Sequence, residues 1–186
     1  MDVRTTLAAL LIFFLTGCKT HPIPDIFLPL EELVERPWSG SYITTLNTSV
    51  WTGDIKQYLD LKPEWSPLYV GNMIHERIHA IRMDGLLGTA IFVLQYAFST
   101  DFMWKEEQIC WYYELMYLKS KGIIKPSAYT AQFLATGYDN ITGSMISRED
   151  ALRWVKDVYA GKWKPGISEE EEALYYTDLL KKIDDR

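Results

Sequence analysis

The stretch PLYVGNMIHERIHAIRM, Pro67 to Met83, decides how the rest of the chain is read. Pro67 suits the first turn of a helix, and Asp84-Gly85 is a stop. Tyr69, Val70, Met73, Ile74, Ile78 and Ile81 recur at helical spacing, which predicts a buried helix over 67–83. Inside it stands His75-Glu76-Arg77-Ile78-His79. Residues four apart share a helix face, so His75 and His79 can offer their nitrogens to one Zn²⁺. Glu76, one residue along, is placed to hold a water and take its proton. Arg77 is an unusual charge at this place and is expected to point outward or towards a substrate.

A catalytic zinc needs a third protein ligand and an open position. The chain has three histidines. The remaining one, His21, lies beside Pro22 and Pro24 and is a poor candidate. Carboxylates on a later helix, Trp104 to Lys121, are better. Glu107 is the preferred ligand, because Cys110 three residues on is small enough to let two helices approach. Glu106 is the alternative. Glu114 shares the stripe of Glu107 and is expected to accept a hydrogen bond from a ligand histidine. Cys110 itself reads as a small core residue.

Working outward, Lys62 to Pro67 is a loop. Before it, Gly40–Asn47 and Ser49–Gln57 are the strand candidates, with Asn47-Thr48 as the turn. Ile26 to Glu35 suggests a short helix or a clamp. After the motif, the apolar run Leu86 to Phe98 predicts a second helix, broken by Ser99-Thr100-Asp101. Trp104 to Lys121 is the third, closed by Gly122, and Pro126 to Ala135 a fourth. Ser147 caps a helix to Tyr159, and Ser168 with Glu171 forms a capping box for a last helix to Asp184. The expected fold is α+β and mainly helical, with a small strand pair or sheet before the HExxH helix and a helical C-terminal part.

The N-terminus carries a separate signal. Leu7 to Leu15 is an apolar run too short to span a bilayer, and Leu15-Thr16-Gly17-Cys18 follows it. This resembles the lipobox of bacterial lipoproteins. The resemblance implies cleavage after residue 17 and lipidation of Cys18, with residues 18–25 as a tether and 26–186 as one domain. Lys19, where an Asp would favour retention in the inner membrane, implies the periplasmic side of the outer membrane if the cell is Gram-negative. Loss of Cys18 to lipid leaves one cysteine, so no disulfide is expected.

Apolar residues make up 48% of the chain, and the net charge is −6. The first is enough for a core; the second, with no basic block, argues against nucleic acid as a partner. With HExxH on one helix and a glutamate on a later one, residues 40–122 resemble the gluzincin-type zincins. That resemblance implies a zinc-dependent metallopeptidase: a lipid-anchored hydrolase of the cell envelope, acting on a peptide, a protein or another amide such as a peptidoglycan stem. It also implies an edge strand that holds extended substrate, for which Val50, Trp51 and Thr52 are the candidates. The competing expectation is a non-catalytic envelope lipoprotein that binds a partner, with a structural metal or none.

Overall fold

A computed structural model describes residues 19–36 and 43–185. The lipobox with Cys18, and residues 40–42 of the first strand candidate, lie outside the described residues. The fold is α+β and mainly helical, with a small mixed sheet ahead of the HExxH helix, as expected.

Four strands form that sheet: β1 (Thr20–Pro22), β2 (Glu32–Glu35), β3 (Ile43–Leu46) and β4 (Ser49–Thr52), in spatial order β1-β2-β4-β3. β1 and β2 correct two expectations. Of the expected tether 18–25, the described part from Lys19 is tied to the sheet: the Lys19 carbonyl accepts the Glu35 amide at 2.9 Å and β1 pairs antiparallel with β2. Ile26–Glu35 contains a single 3₁₀ turn, Asp25–Phe27, and then a strand that runs parallel to β4. The β3–β4 hairpin forms over the predicted turn, with Asn47 at φ 56°. Its second strand stops at Thr52. Asp54 then caps a helix not foreseen in the sequence, α1 (Ile55–Leu61), by accepting the Gln57 amide at 2.9 Å.

The HExxH helix is α2 (Pro67–Met83), with Ser66 as its cap. Asp84 (φ 36°) and Gly85 (φ 75°) reverse the chain into α3 (Gly85–Phe98). Only Ser99 separates α3 from α4 (Thr100–Ser120). The Ser99 hydroxyl caps α4 by accepting the Phe102 amide, so α4 begins earlier than the expected Trp104. α5 (Ser127–Thr136), a two-stranded ribbon of β5 (Asp139–Asn140) and β6 (Gly143–Ser144), and α6 (Arg148–Tyr159) follow. The Ser168–Glu171 capping box opens α7 (Glu169–Glu172). A wider π turn, Ala173–Thr177, leads into α8 (Asp178–Asp184).

The core is centred on α2 against α4. Tyr69, Met73, Ile74 and Ile78 of α2 are fully buried, as are Cys110, Leu115 and Leu118 of α4. Close approach has a specific cause at Gly71: a Cβ there would meet Leu118 at 3.3 Å and Glu114 at 3.4 Å. The C-terminal helices cover the far side of α4, where Trp154 packs edge-on against Trp104.

Candidate metal centre

α2 and α4 bring the sequence-predicted residues together. His75, Glu76, His79, Glu107 and Glu114 are all buried. His75 Nε2 lies 3.3 Å from Glu107 Oε2, and His79 Nε2 lies 3.2 Å from Glu107 Oε1. One nitrogen of each ring therefore faces the same carboxylate. His75 Nδ1, on the other side of its ring, is 3.2 Å from Glu114 Oε2, as expected for Glu114. Glu114 is held in turn by Lys125, whose ammonium donates to Oε1 at 2.6 Å and lies over the Trp111 ring. Trp111 also packs edge-on against His75, and Phe92 against His79.

The electrostatics follow from this packing. Burial works against a charged His75, but the Glu107 and Glu114 carboxylates beside it outweigh that and raise its pKa to about 10. Burial alone would push both carboxyls up. The two histidines nevertheless hold Glu107 well below the usual carboxylate range, and Lys125 with His75 brings Glu114 down to about 2.

One oxygen stands out. Glu107 Oε1 accepts a 2.6 Å bond from the Tyr96 hydroxyl, whereas Oε2 is buried and makes no hydrogen bond, with only His75 Nε2 beside it at 3.3 Å. A buried carboxylate oxygen without a donor is costly. A cation between the three side chains would satisfy it, so the donor set fits a metal. His75, His79 and Cys110 also form a buried group that can hold a metal, their donor atoms all lying within 4.8 Å of one another. Cys110 approaches His79 through Nδ1, at 3.6 Å. That is the nitrogen other than the one facing Glu107. Glu107, unlike Cys110, lines the cavity in front of the histidines.

That cavity measures about 580 Å³ and is also lined by Glu76 and by Thr44, Thr45 and Leu46 of β3. Here the expected substrate strand is corrected. Val50, Trp51 and Thr52 belong to β4, an inner strand paired on both sides; β3 is the edge. The carbonyls of Thr48 and Thr52 accept amides of Glu31 and Arg36 on the β2 side. The odd-numbered residues of β4 therefore hydrogen-bond to β3, through Leu46 and Thr44. In the alternating antiparallel pattern the Thr45 amide and carbonyl face away from β4, towards the open edge. Trp51 still contributes its side chain to the cavity.

Three further residues have other partners. Glu106, the alternative ligand, is gripped by Arg82 through two 2.6 Å bonds and takes no part in the centre. Arg77 points neither to solvent nor to the cavity. It donates to the carbonyls of Leu28 (2.7 Å), Leu174 (2.8 Å) and Tyr175 (3.3 Å), tying the N-terminal segment and the π turn to α2. His21 pairs with Glu64. Sequence reasoning missed Thr45, whose hydroxyl donates to Glu76 Oε2 at 2.8 Å, along with Tyr96, Lys125 and Tyr138. Only Thr45 left a trace: a polar residue on a strand that packs beside the motif helix.

No family model, no curated protein and no solved structure matches the chain. No helix among the described residues is long and apolar enough to cross a membrane.

Proposed function

We propose that the protein is a zinc-dependent metallopeptidase of gluzincin type, lipid-anchored through Cys18 in the cell envelope, that hydrolyses a peptide or amide bond. His75, His79 and Glu107 hold the metal. The observation that carries this reading is the buried Glu107 carboxylate facing one nitrogen of each imidazole, with its Oε2 left without a hydrogen bond. Separations of 3.2 and 3.3 Å bring one nitrogen of each ring close enough to Glu107 for the three side chains to hold one metal ion. Zinc bound there acidifies water and polarises a carbonyl.

The chain's own residues do the rest. Glu76 is the general base: it takes a proton from the attacking water and returns it to the leaving amine. Thr45 fixes one oxygen of Glu76 and leaves the other for the cavity. Glu114, charged and paired with Lys125, orients His75 through Nδ1. Tyr96 spends its proton on Glu107. Tyr138 also lines the cavity; its oxygen accepts the Trp111 indole N–H at 3.0 Å and its hydroxyl, like that of Tyr96, is drawn to Glu107.

The test is Glu76→Gln. The variant should retain one zinc per chain by elemental analysis while turnover of a fluorogenic peptide panel falls at least about 100-fold. Activity that persists in the zinc-loaded variant removes Glu76 from the mechanism.

A further inference from the structure

We propose that the cavity takes an extended, uncharged stretch of polypeptide with a bulky apolar side chain beside the bond to be cut, its flanking apolar residues lying on the outward face of α3. This rests on the hydrolytic reading of the same centre and names its substrate class.

The walls are the first observation. Leu46, Trp51, Met83, Phe92, Tyr138 and Ile141 surround the space in front of the histidines. Among the described residues, no lysine or arginine lines it. The acidic groups that do, Glu76 and Glu107, are bonded to Thr45 and to Tyr96 with His79. Beyond the metal, a chain-terminal carboxylate or an acidic side chain would find no lysine or arginine and would face two carboxylates. A lysine would lose its hydration against aromatic walls. An uncharged interior segment meets neither cost.

The second observation is the edge of β3. The Thr45 backbone faces the open side, which suits a substrate added as a further strand. Side chains of such a strand alternate, so every second one enters the cavity.

The third is α3. Its 14 residues include no charged one. Leu87, Ile91, Leu94 and Phe98 form an outward stripe at i, i+4, i+7 and i+11, with Leu87 75% and Phe98 57% exposed. The stripe continues into the cavity: Val93 and Ala97, neighbours of Leu94 and Phe98, line it. Ile141, which also lines it, donates its amide to the Ala97 carbonyl at 3.2 Å. α3 therefore offers apolar side chains both to the cavity and to the outside, where exposed apolar patches mark binding.

The experiment uses the full-length chain carrying Glu76→Gln, loaded with zinc. The probes are ten-residue peptides, blocked at both ends and identical except for four central residues, which are Leu and Phe, or Ser, or Asp, or Lys. Titration calorimetry should show the apolar peptide binding at least about tenfold tighter than the other three. Equal affinities, a preference for a charged version or no binding at all would overturn the proposal. A second variant, Leu94→Ser with Phe98→Ser, changes only exposed positions. It should weaken the ten-residue apolar peptide several-fold and spare a four-residue one. If it instead abolishes association with phosphatidylethanolamine–phosphatidylglycerol vesicles and leaves peptide affinity unchanged, α3 serves a bilayer and its part in the proposal is overturned. Wild-type protein separates the two readings. An apolar peptide that is bound but never cut sinks the hydrolytic reading and leaves this one, whereas cleavage of only the charged peptides does the reverse.

Discussion

α2 buries charge on two faces, and the two are solved differently. On one face Arg77 meets three backbone carbonyls, while Arg82, three residues past His79, grips Glu106 with two short bonds. Every partner is protein, and the result is mechanical: the N-terminal segment and the π turn are tied to the centre of the fold. On the other face His75, His79 and Glu107 converge, but one carboxylate oxygen is left over. Buried charge that is fully paired holds a structure together. Buried charge that is one partner short is a place kept for something else. Glu106 and Glu107 make the contrast sharp, because they are adjacent on α4, about 100° apart around it, and take different partners.

Mutating these neighbours in turn is the strongest way to break the comparison. Glu106→Ala removes the two short bonds of Arg82 and leaves it only the more distant carboxylate of Glu171, so it should cost about 3 kcal/mol of stability, the lower end for a buried pair because Arg82 retains some solvent. Zinc affinity should be unchanged. Glu107→Ala should show the opposite pattern. Zinc affinity should fall by more than the ~100-fold typical of a residue behind the ligands, with a smaller loss of melting temperature in metal-free protein. Calorimetric unfolding and a zinc competition assay on both variants decide it. If Glu106→Ala loses the metal and Glu107→Ala keeps it, the assignment is reversed.

The two faces also differ in how far they could be read from sequence. His75, Glu76 and His79 lie within one helical turn, so their convergence is a local property of the chain. The caps at Ser147 and Ser168 are local too, and both stand in the structure. Glu107 and Glu114 could be placed because one further periodicity, that of α4, puts them on one stripe. Arg77 could not. Its partners lie 49 to 98 residues away and are backbone carbonyls, which have no sequence signature. The sheet failed for the same reason. β1 and β2 are three and four residues long and exist through pairing with each other and with β4. Nothing within 20–35 reveals that pairing, and without β2 the inner strand β4 looks like an edge.

Thr45 is the residue where that correction bears on function, and it offers a finer test. Thr45→Val keeps the shape and removes the hydroxyl that steadies Glu76. A hydrogen bond to a charged group is worth about 1.5–3 kcal/mol in full. Glu76 keeps its place on α2, so the expected loss is about tenfold in kcat, with KM and zinc content little changed. Thr45→Ser should restore most of it. A change confined to KM would mean that Thr45 serves only the substrate strand.

Gly71→Ala should give the smallest effect and the most specific one. Glycine inside a helix costs about 0.5–1 kcal/mol relative to alanine, so propensity favours the substitution. Against it stand Leu118 at 3.3 Å and Glu114 at 3.4 Å from the new methyl. Both contacts are to side chains, which can give by a few tenths of an ångström. The two effects should nearly cancel, leaving stability within about 1 kcal/mol of wild type. Leu118 can yield without consequence, but Glu114 is held at one oxygen by Lys125 and at the other by His75. Any shift of its stem lengthens a bond that orients a ligand. Zinc affinity should therefore drop several-fold in a protein that melts almost where wild type does. Equal zinc affinity in the two would show that Glu114 fills space behind His75 and does not steer it.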